Sequence, residues 1–272
     1  MLLPKFTTLS LALENNIAHL QLNRPERANA INRPMWQELG EAMAWASNTA
    51  DVRVVVLSAE GKHFCSGIDL SMLNELIDES ISCDGRKREA LRQDILWLQT
   101  QLTAIEQCRK PVLGAIHGLC IGGGVDLISA CDMRYCTDDA VFSIKEIDVG
   151  LVADVGTLQR LPRLIGDGVM RELVYTGRDF NGGEATRLGL TNQCFSDKET
   201  MLKEVFAIAS TIASKSPLSV RGNKQVILYS REHSIADGLD YVATWNAAML
   251  ISDDIKIALK AQQARETPHF EN

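Results

Sequence analysis

The sequence predicts an α/β fold that ends in a helical region, on three observations. Two β-branched or apolar runs, VRVVVLSAE at 52–60 and KPVLGAIHG at 110–118, read as strands buried on both faces. Segments with helical spacing alternate with them. Beyond Val155 the helical patterns dominate. Strands alternating with helices and then helices alone imply an α/β body over residues 1–200 and a helical C-terminal region over 201–272.

Taken in order, residues 8–22 alternate as TLSLALE, NN and IAHLQLN, a β-hairpin closed by an Asn-Asn turn. NRPERANAINRP (23–34) is a polar loop with two Arg-Pro pairs. A helix starts near Pro34, with Asn32 at its cap and Trp36, Leu39, Met43 and Trp45 partly at helical spacing. After the strand at 52–60, GKHFCSGIDL (61–70) is a glycine-punctuated loop. Residues 71–108 are helical in pattern, interrupted by CDG at 83–85, and ILWLQTQLTAI carries their longest apolar stripe. The strand at 110–118 leads through a glycine run into a helix. MRYCT and AVFSI then read as two short strands. Helical patterns cover 157–164, 168–176, 183–188, 198–214, 217–230 and 234–264 with breaks. The last of these have no sheet of their own, so their apolar stripes must pack on the body or on a neighbouring subunit.

Composition narrows the function classes. The chain has 272 residues, 46% hydrophobic, enough for a large core, and a net charge of −7. With a pI near 5.3 there is no basic field to hold a nucleic-acid backbone. The seven cysteines are scattered and form no CxxC pair, which argues against a disulfide framework or a zinc site and suits a reducing compartment. No apolar run approaches the roughly 20 residues of a membrane span. MLLPKFTTLSLALENN has neither a secretory nor a transit pattern, and HFEN is not a peroxisomal address of the SKL type. The expectation is a cytoplasmic protein.

Two loops can carry chemistry, HFCSGIDL (63–70) and HGLCIGGGVDL (117–127), each leading toward a helix. A helix N-terminus presents unpaired N–H groups, and two aimed at one point would stabilise an oxyanion. Either loop alone reads as a tight strand-to-helix turn. Three acids follow among apolar neighbours: Asp126, Glu146 in SIKEIDVGL and Asp154 in LVADVGTLQRL. A carboxyl group in an apolar pocket has a raised pKa and exchanges protons near neutral pH. Asp154 is also placed to cap the helix after it, and Glu146 could cap a helix or form a salt bridge. Asp126, one turn inside a helix between Val125 and Leu127, is the hardest to explain by packing. Asp132 reads as a partner of Arg134 or a cap, and Asp148 as a loop residue. His63 and His117 flank the loops, but no GxSxG elbow accompanies them. Cys65 and Cys120 read as packing residues.

NRPERANAIN, VVVLSAEGKHFCSGIDL and KPVLGAIHGLCIGGGVDLISACDMRYC together resemble the enoyl-CoA hydratase/isomerase (crotonase) family, and the likeness runs on to SKSPLSVRGNKQVI and the helical tail. The resemblance implies a spiral of ββα units with a C-terminal trimerisation region, assembled as a homotrimer or homohexamer. It implies an acyl-CoA thioester substrate whose carbonyl sits in an oxyanion hole made by the N–H groups of Ile68 and Gly123. Ser66, Gly67, Ile68, Asp69, Leu70 and Gly123 would line the substrate site. No metal or redox cofactor is implied, because CoA is part of the substrate; Arg24, Arg27, Lys62, Lys224 or Lys256 could meet its phosphates, although each taken singly reads as an ordinary solvated charge.

Hydratases of the family carry Glu at the positions of both Asp126 and Glu146 and Gly at that of Asp154. This chain departs at the first and the last. The pattern implies isomerisation of a 3,5-dienoyl-CoA to a 2,4-dienoyl-CoA in unsaturated fatty-acid β-oxidation. That reaction takes a proton from C2 and adds one at C6, too far apart for one carboxyl group to serve easily. Glu146 would be the base at C2 and Asp154 the acid at C6, with Asp126 deeper in the site. The rivals are enoyl-CoA hydration, Δ3-Δ2 isomerisation, and a non-catalytic RNA-binding or scaffold role.

Overall fold

The structure, a computed structural model, describes residues 3–72 and 80–272. Two alternating runs open the chain, joined by two residues that tolerate left-handed backbone. β1 (Leu9–Glu14) and β2 (Ile17–Leu22) pair antiparallel with Glu14 opposite Ile17. Asn15 and Asn16 stand at φ of 50° and 63°, the conformation a two-residue hairpin turn requires. α1 (Arg33–Asn48) starts where expected, its Asn32 cap accepting from the Met35 N–H at 3.1 Å. β3 (Val54–Ala59) follows. Met72 and Ser71 are helical, and the helical pattern expected over 73–79 lies outside the described residues. α2 (Asp84–Gln107) begins at the expected interruption, with Cys83 as its cap residue.

Then come β4 (Val112–Ile116), β5 (Leu119–Ile121), α3 (Gly123–Ser129), β6 (Met133–Thr137), β7 (Val141–Ser143), and a 3₁₀ turn at Lys145–Val149. Three helices, α4 (Thr157–Arg160), α5 (Pro162–Ile165) and α6 (Asp167–Thr176), lead to β8 (Phe180–Asn181), α7 (Gly182–Leu188) and β9 (Gln193–Phe195). The chain closes with α8 (Lys198–Ala213), α9 (Pro217–Ser230), α10 (Ile235–Met249) and α11 (Asp253–Ala264).

The larger sheet has the order β1-β2-β3-β4-β6-β9 and is parallel from β2 onward. Every residue of β3 is buried, because both faces of the sheet are covered. Val54 and Val56 pack with Leu113 and Ala115 against Met201, Val205 and Ala209 of α8. The alternate residues Val55 and Leu57 face the other way, into the main core with Trp36, Leu39, Met43, Leu102 and Ile105. Each such side chain contributes roughly 1.5–3 kcal/mol on burial. α8 thus runs across position 200 while packing on the sheet.

The sequence pattern reads β5 as loop and shows no strand at β8 or at β9 of the larger sheet, so the smaller sheet, β5-β7-β8, is a difference that the structure brings. Strands of two or three residues carry too few alternations to be seen, and only pairing defines them. β5 matters most, because it holds the start of the glycine run. At the C-terminus, α10, α11 and the turn between them leave Ile235, Leu239, Leu250, Ile251 and Leu259 more than half exposed.

Candidate active site

The loop after β3 is zipped to β5 by backbone bonds. Cys65 N–H donates to Leu119 O at 2.8 Å, and Ile121 N–H to Cys65 O at 3.0 Å. The same loop is tied to the Arg-Pro loop: Ser66 N–H donates to Ala28 O, Ile31 N–H to Gly67 O and Asp69 N–H to Ile31 O, at 2.8–3.0 Å. Gly67 stands at φ +103°, where a Cβ would come within 3.2 Å of Ile121 O. Only glycine lets the two loops approach this closely. Their meeting point is defined by Gly123: a Cβ built on it would lie 3.6 Å from Ile68 N. Among the described residues neither the Ile68 N–H nor the Gly123 N–H has an acceptor. Two N–H groups therefore converge without partners, one of them at the start of α3.

The acids lie beside this point. Asp126 is 1% exposed, and its Oδ1 accepts from the Thr157 N–H at 2.6 Å while Oδ2 has no described partner. Glu146, in the 3₁₀ turn, has its Oε1 3.2 Å from where a Cβ on Gly122 would stand, and its buried Oε2 is also unpartnered. Burial raises the Asp126 carboxyl, against the pull of the Thr157 bonds, and the Asp154 charge adds to the rise. Burial raises Glu146 toward neutrality, helped by the charge of Asp126. Asp154 is more open to solvent, and partial desolvation raises it too. Among the described residues no cation is bonded to the three: the Arg160 charge pulls Asp126 down but its guanidinium pairs with Glu106 at 3.2 Å, and Lys145 turns away to Gly177 O and Asp179. No group of acids, histidines or cysteines suited to a metal ion occurs among the described residues.

The remaining expectations sort cleanly. Asp69 is held by Arg24 at 3.1 Å and Ser71, and Leu70 is 65% exposed. Asp154 is not a cap; Gly156 takes that place before α4. Asp132 does not pair with Arg134, as the sequence reading allowed. Its Oδ2 accepts from Lys224 Nζ and Val112 N–H, both at 2.7 Å, while Arg134 is used up on the carbonyls of Leu190, Cys131 and Ile128. Lys224, buried in that pair, is thereby withdrawn from meeting CoA phosphates, and Lys256 is paired with Asp253. His117 meets Gly61 O and His63 accepts from Leu119 N–H, so neither forms a triad. The Cys65 thiol is buried and pushed up to about 12, an inert packing group. Two positioning groups escaped the sequence reading: Thr157, on Asp126, and Gln99, whose Nε2 donates to Asp154 O at 2.6 Å. The only signal for Thr157 was its place at the start of a helix, where a free N–H is always available.

Residues 12–272 match the enoyl-CoA hydratase/isomerase family model, and the chain belongs to that family. It is 50% identical to the peroxisomal Delta(3,5)-Delta(2,4)-dienoyl-CoA isomerase of Arabidopsis thaliana over 99% of both chains. It is also 50% identical to the mitochondrial Delta(3,5)-Delta(2,4)-dienoyl-CoA isomerase of Mus musculus, over 93% of this chain and 79% of that protein. The crystal structure of an enoyl-CoA hydratase from Bacillus anthracis superposes with a TM-score of 0.87 at 28% identity, covering 97% of this chain and 99% of the other. The fold is the crotonase fold. The peroxisomal and mitochondrial names of these relatives overturn the expectation of a cytoplasmic protein. Reduced cysteines and acidic charge report a chemical environment and do not report the membrane around it.

Proposed function

We infer that this chain converts 3,5-dienoyl-CoA to 2,4-dienoyl-CoA. The observation that carries the reading is the set of three raised acids, Asp126, Glu146 and Asp154, with no cation bonded to them among the described residues, beside two unpartnered N–H groups. The names of relatives at 50% identity support it.

In this reading the thioester oxygen accepts from Ile68 and Gly123 N–H, which makes the C2 proton acidic. Glu146, a stronger base than an ordinary carboxylate because of its surroundings, takes that proton. The electron pair spreads from C2 through the diene, and the protonated Asp154 donates to C6. Glu146 is left protonated and Asp154 ionised, and proton exchange resets them before the next turnover. Asp126 keeps Glu146 basic through its charge. Ser66, Gly67, Asp69 and Leu70 shape the entrance. CoA arrives with the substrate, so the chemistry calls for no further group. The exposed apolar residues of α10 and α11 and the family's habit support a homotrimer or homohexamer.

A paired assay tests the reading. With 3,5-dienoyl-CoA the absorbance of a conjugated 2,4-dienoyl thioester should grow, and crotonyl-CoA should barely hydrate. Rapid hydration without diene product would favour a hydratase.

A further inference from the structure

The Cys65 thiol is inert as a nucleophile, but its sulfur makes a contact that packing does not call for. The Gly67 N–H donates to Cys65 Sγ at 3.4 Å, and among the described residues it has no other acceptor. Gly67 is buried, so the sulfur is what satisfies this N–H. The Gly67 carbonyl is held separately, by the Ile31 N–H at 2.8 Å. Both polar groups of Gly67 are thus fixed. A trans peptide points its N–H opposite to its C=O, so the Ile68 N–H that follows faces away from the Ile31 amide and stays free.

The same side chain reaches the second loop. A Cβ on Gly124 would stand 3.0 Å from Cys65 Cβ and 3.3 Å from its sulfur, so glycine at 124 leaves the space that the thiol fills. That space adjoins Gly123, the other free donor. The Cys65 backbone is fastened to β5 through Leu119 O and the Ile121 N–H, which gives the sulfur a rigid base. Cys65 is fully buried, and water does not compete for the contact.

We propose that Cys65 is a positioning residue of the oxyanion site: its sulfur, seated against the first turn of α3, accepts the Gly67 N–H and so holds the Ile68 N–H beside that of Gly123, where one oxygen can accept from both. The inference rests on the reading above that these two N–H groups receive a thioester oxygen. Cys65 touches no reacting atom and acts only through the Gly67 peptide. Sulfur is a weak acceptor, so what it supplies is orientation.

The test compares Cys65→Ala with Cys65→Ser in the full chain. A packing role favours alanine, which is apolar and accepts nothing. A positioning role favours serine, whose hydroxyl can accept an N–H two residues on. The readout is the absorbance of 2,4-dienoyl-CoA bound to each protein, because hydrogen bonds to the carbonyl oxygen draw electrons through the diene and move its band to longer wavelength. Wild type should show that red shift, Cys65→Ser should keep most of it and Cys65→Ala should lose most of it. In Cys65→Ala, kcat on 3,5-dienoyl-CoA should fall roughly tenfold, part of the 10²–10³-fold loss of a whole donor, with KM little changed. A full red shift in Cys65→Ala, or a loss in Cys65→Ser as large as in Cys65→Ala, would overturn the proposal. A crystal structure of wild type with bound 2,4-dienoyl-CoA tests it even if neither variant folds: the Gly67 N–H should lie on Cys65 Sγ, and a sulfur turned away from it would overturn the proposal. The two readings fail separately. A wild type that forms no diene, or binds the product without a red shift, sinks the proposed reaction or its oxyanion site; a wild type that does both, with Cys65→Ala unchanged, sinks only the role of Cys65.

Discussion

Asp126 and Asp132 stand six residues apart on one short helix and its exit, both among apolar neighbours, and they do different work. Asp132 is met by Lys224 and by a backbone N–H, each at 2.7 Å, and ties α9 to the start of β4. Asp126 is met by one backbone N–H and keeps an oxygen free beside Glu146. A carboxyl bonded to a cation is a structural tie. A buried one with no bonded cation is held away from its ordinary protonation range, and that cost is tolerated only where proton exchange is useful.

The comparison breaks most readily at the uncompensated end. Glu146→Gln and Asp154→Asn should each lower isomerisation by roughly 10²–10⁴-fold, the usual loss of a general base or acid, with unchanged circular dichroism. Near wild-type rates in either would sink the assignment. Gly123→Ala is next. Its methyl would meet Ile68 N at 3.6 Å and Ile31 Cδ1 at 3.8 Å, ordinary contacts that leave the fold intact but fill the space between the two donors. Turnover should fall about 10²–10³-fold, the loss of an oxyanion donor, with the Tm little changed.

Asp132→Asn should leave the reaction nearly untouched and cost roughly 1–3 kcal/mol of stability, by weakening the partner of a buried ammonium. Denaturant midpoints measure this, and a large activity loss with normal stability would contradict the division between the two acids. The smallest effect sharpens the role of Asp126. Its charge raises Glu146, so Asp126→Asn should lower the Glu146 pKa. The acidic limb of the kcat/KM profile, which in wild type lies above the ordinary carboxylate range, should then move to lower pH. A limb that stays in place would mean that Asp126 does not act through Glu146.

Much of this was readable along the chain. Local pattern set the hairpin, since Asn-Asn between alternating runs has few other conformations. It also set the buried β3 and the Asn32 cap. The two glycine loops and the acids at 126, 146 and 154 were visible as residue types in order, because their chemistry resides in the side chains or in glycine's freedom. β5, β8 and β9 were not visible, because two or three residues hold too little periodicity and their identity comes from a paired neighbour.

The sequence by itself determined which residues could do chemistry and the family pattern they compose. Only the tertiary structure decided which acids were neutralised. Lys224 lies 92 positions from Asp132 and reaches it only through the packing of α9. Thr157 reaches Asp126 across 31 positions and fixes which oxygen stays free. Charge compensation is a property of distance in space, and burial multiplies its cost, so neither can be read from order along the chain.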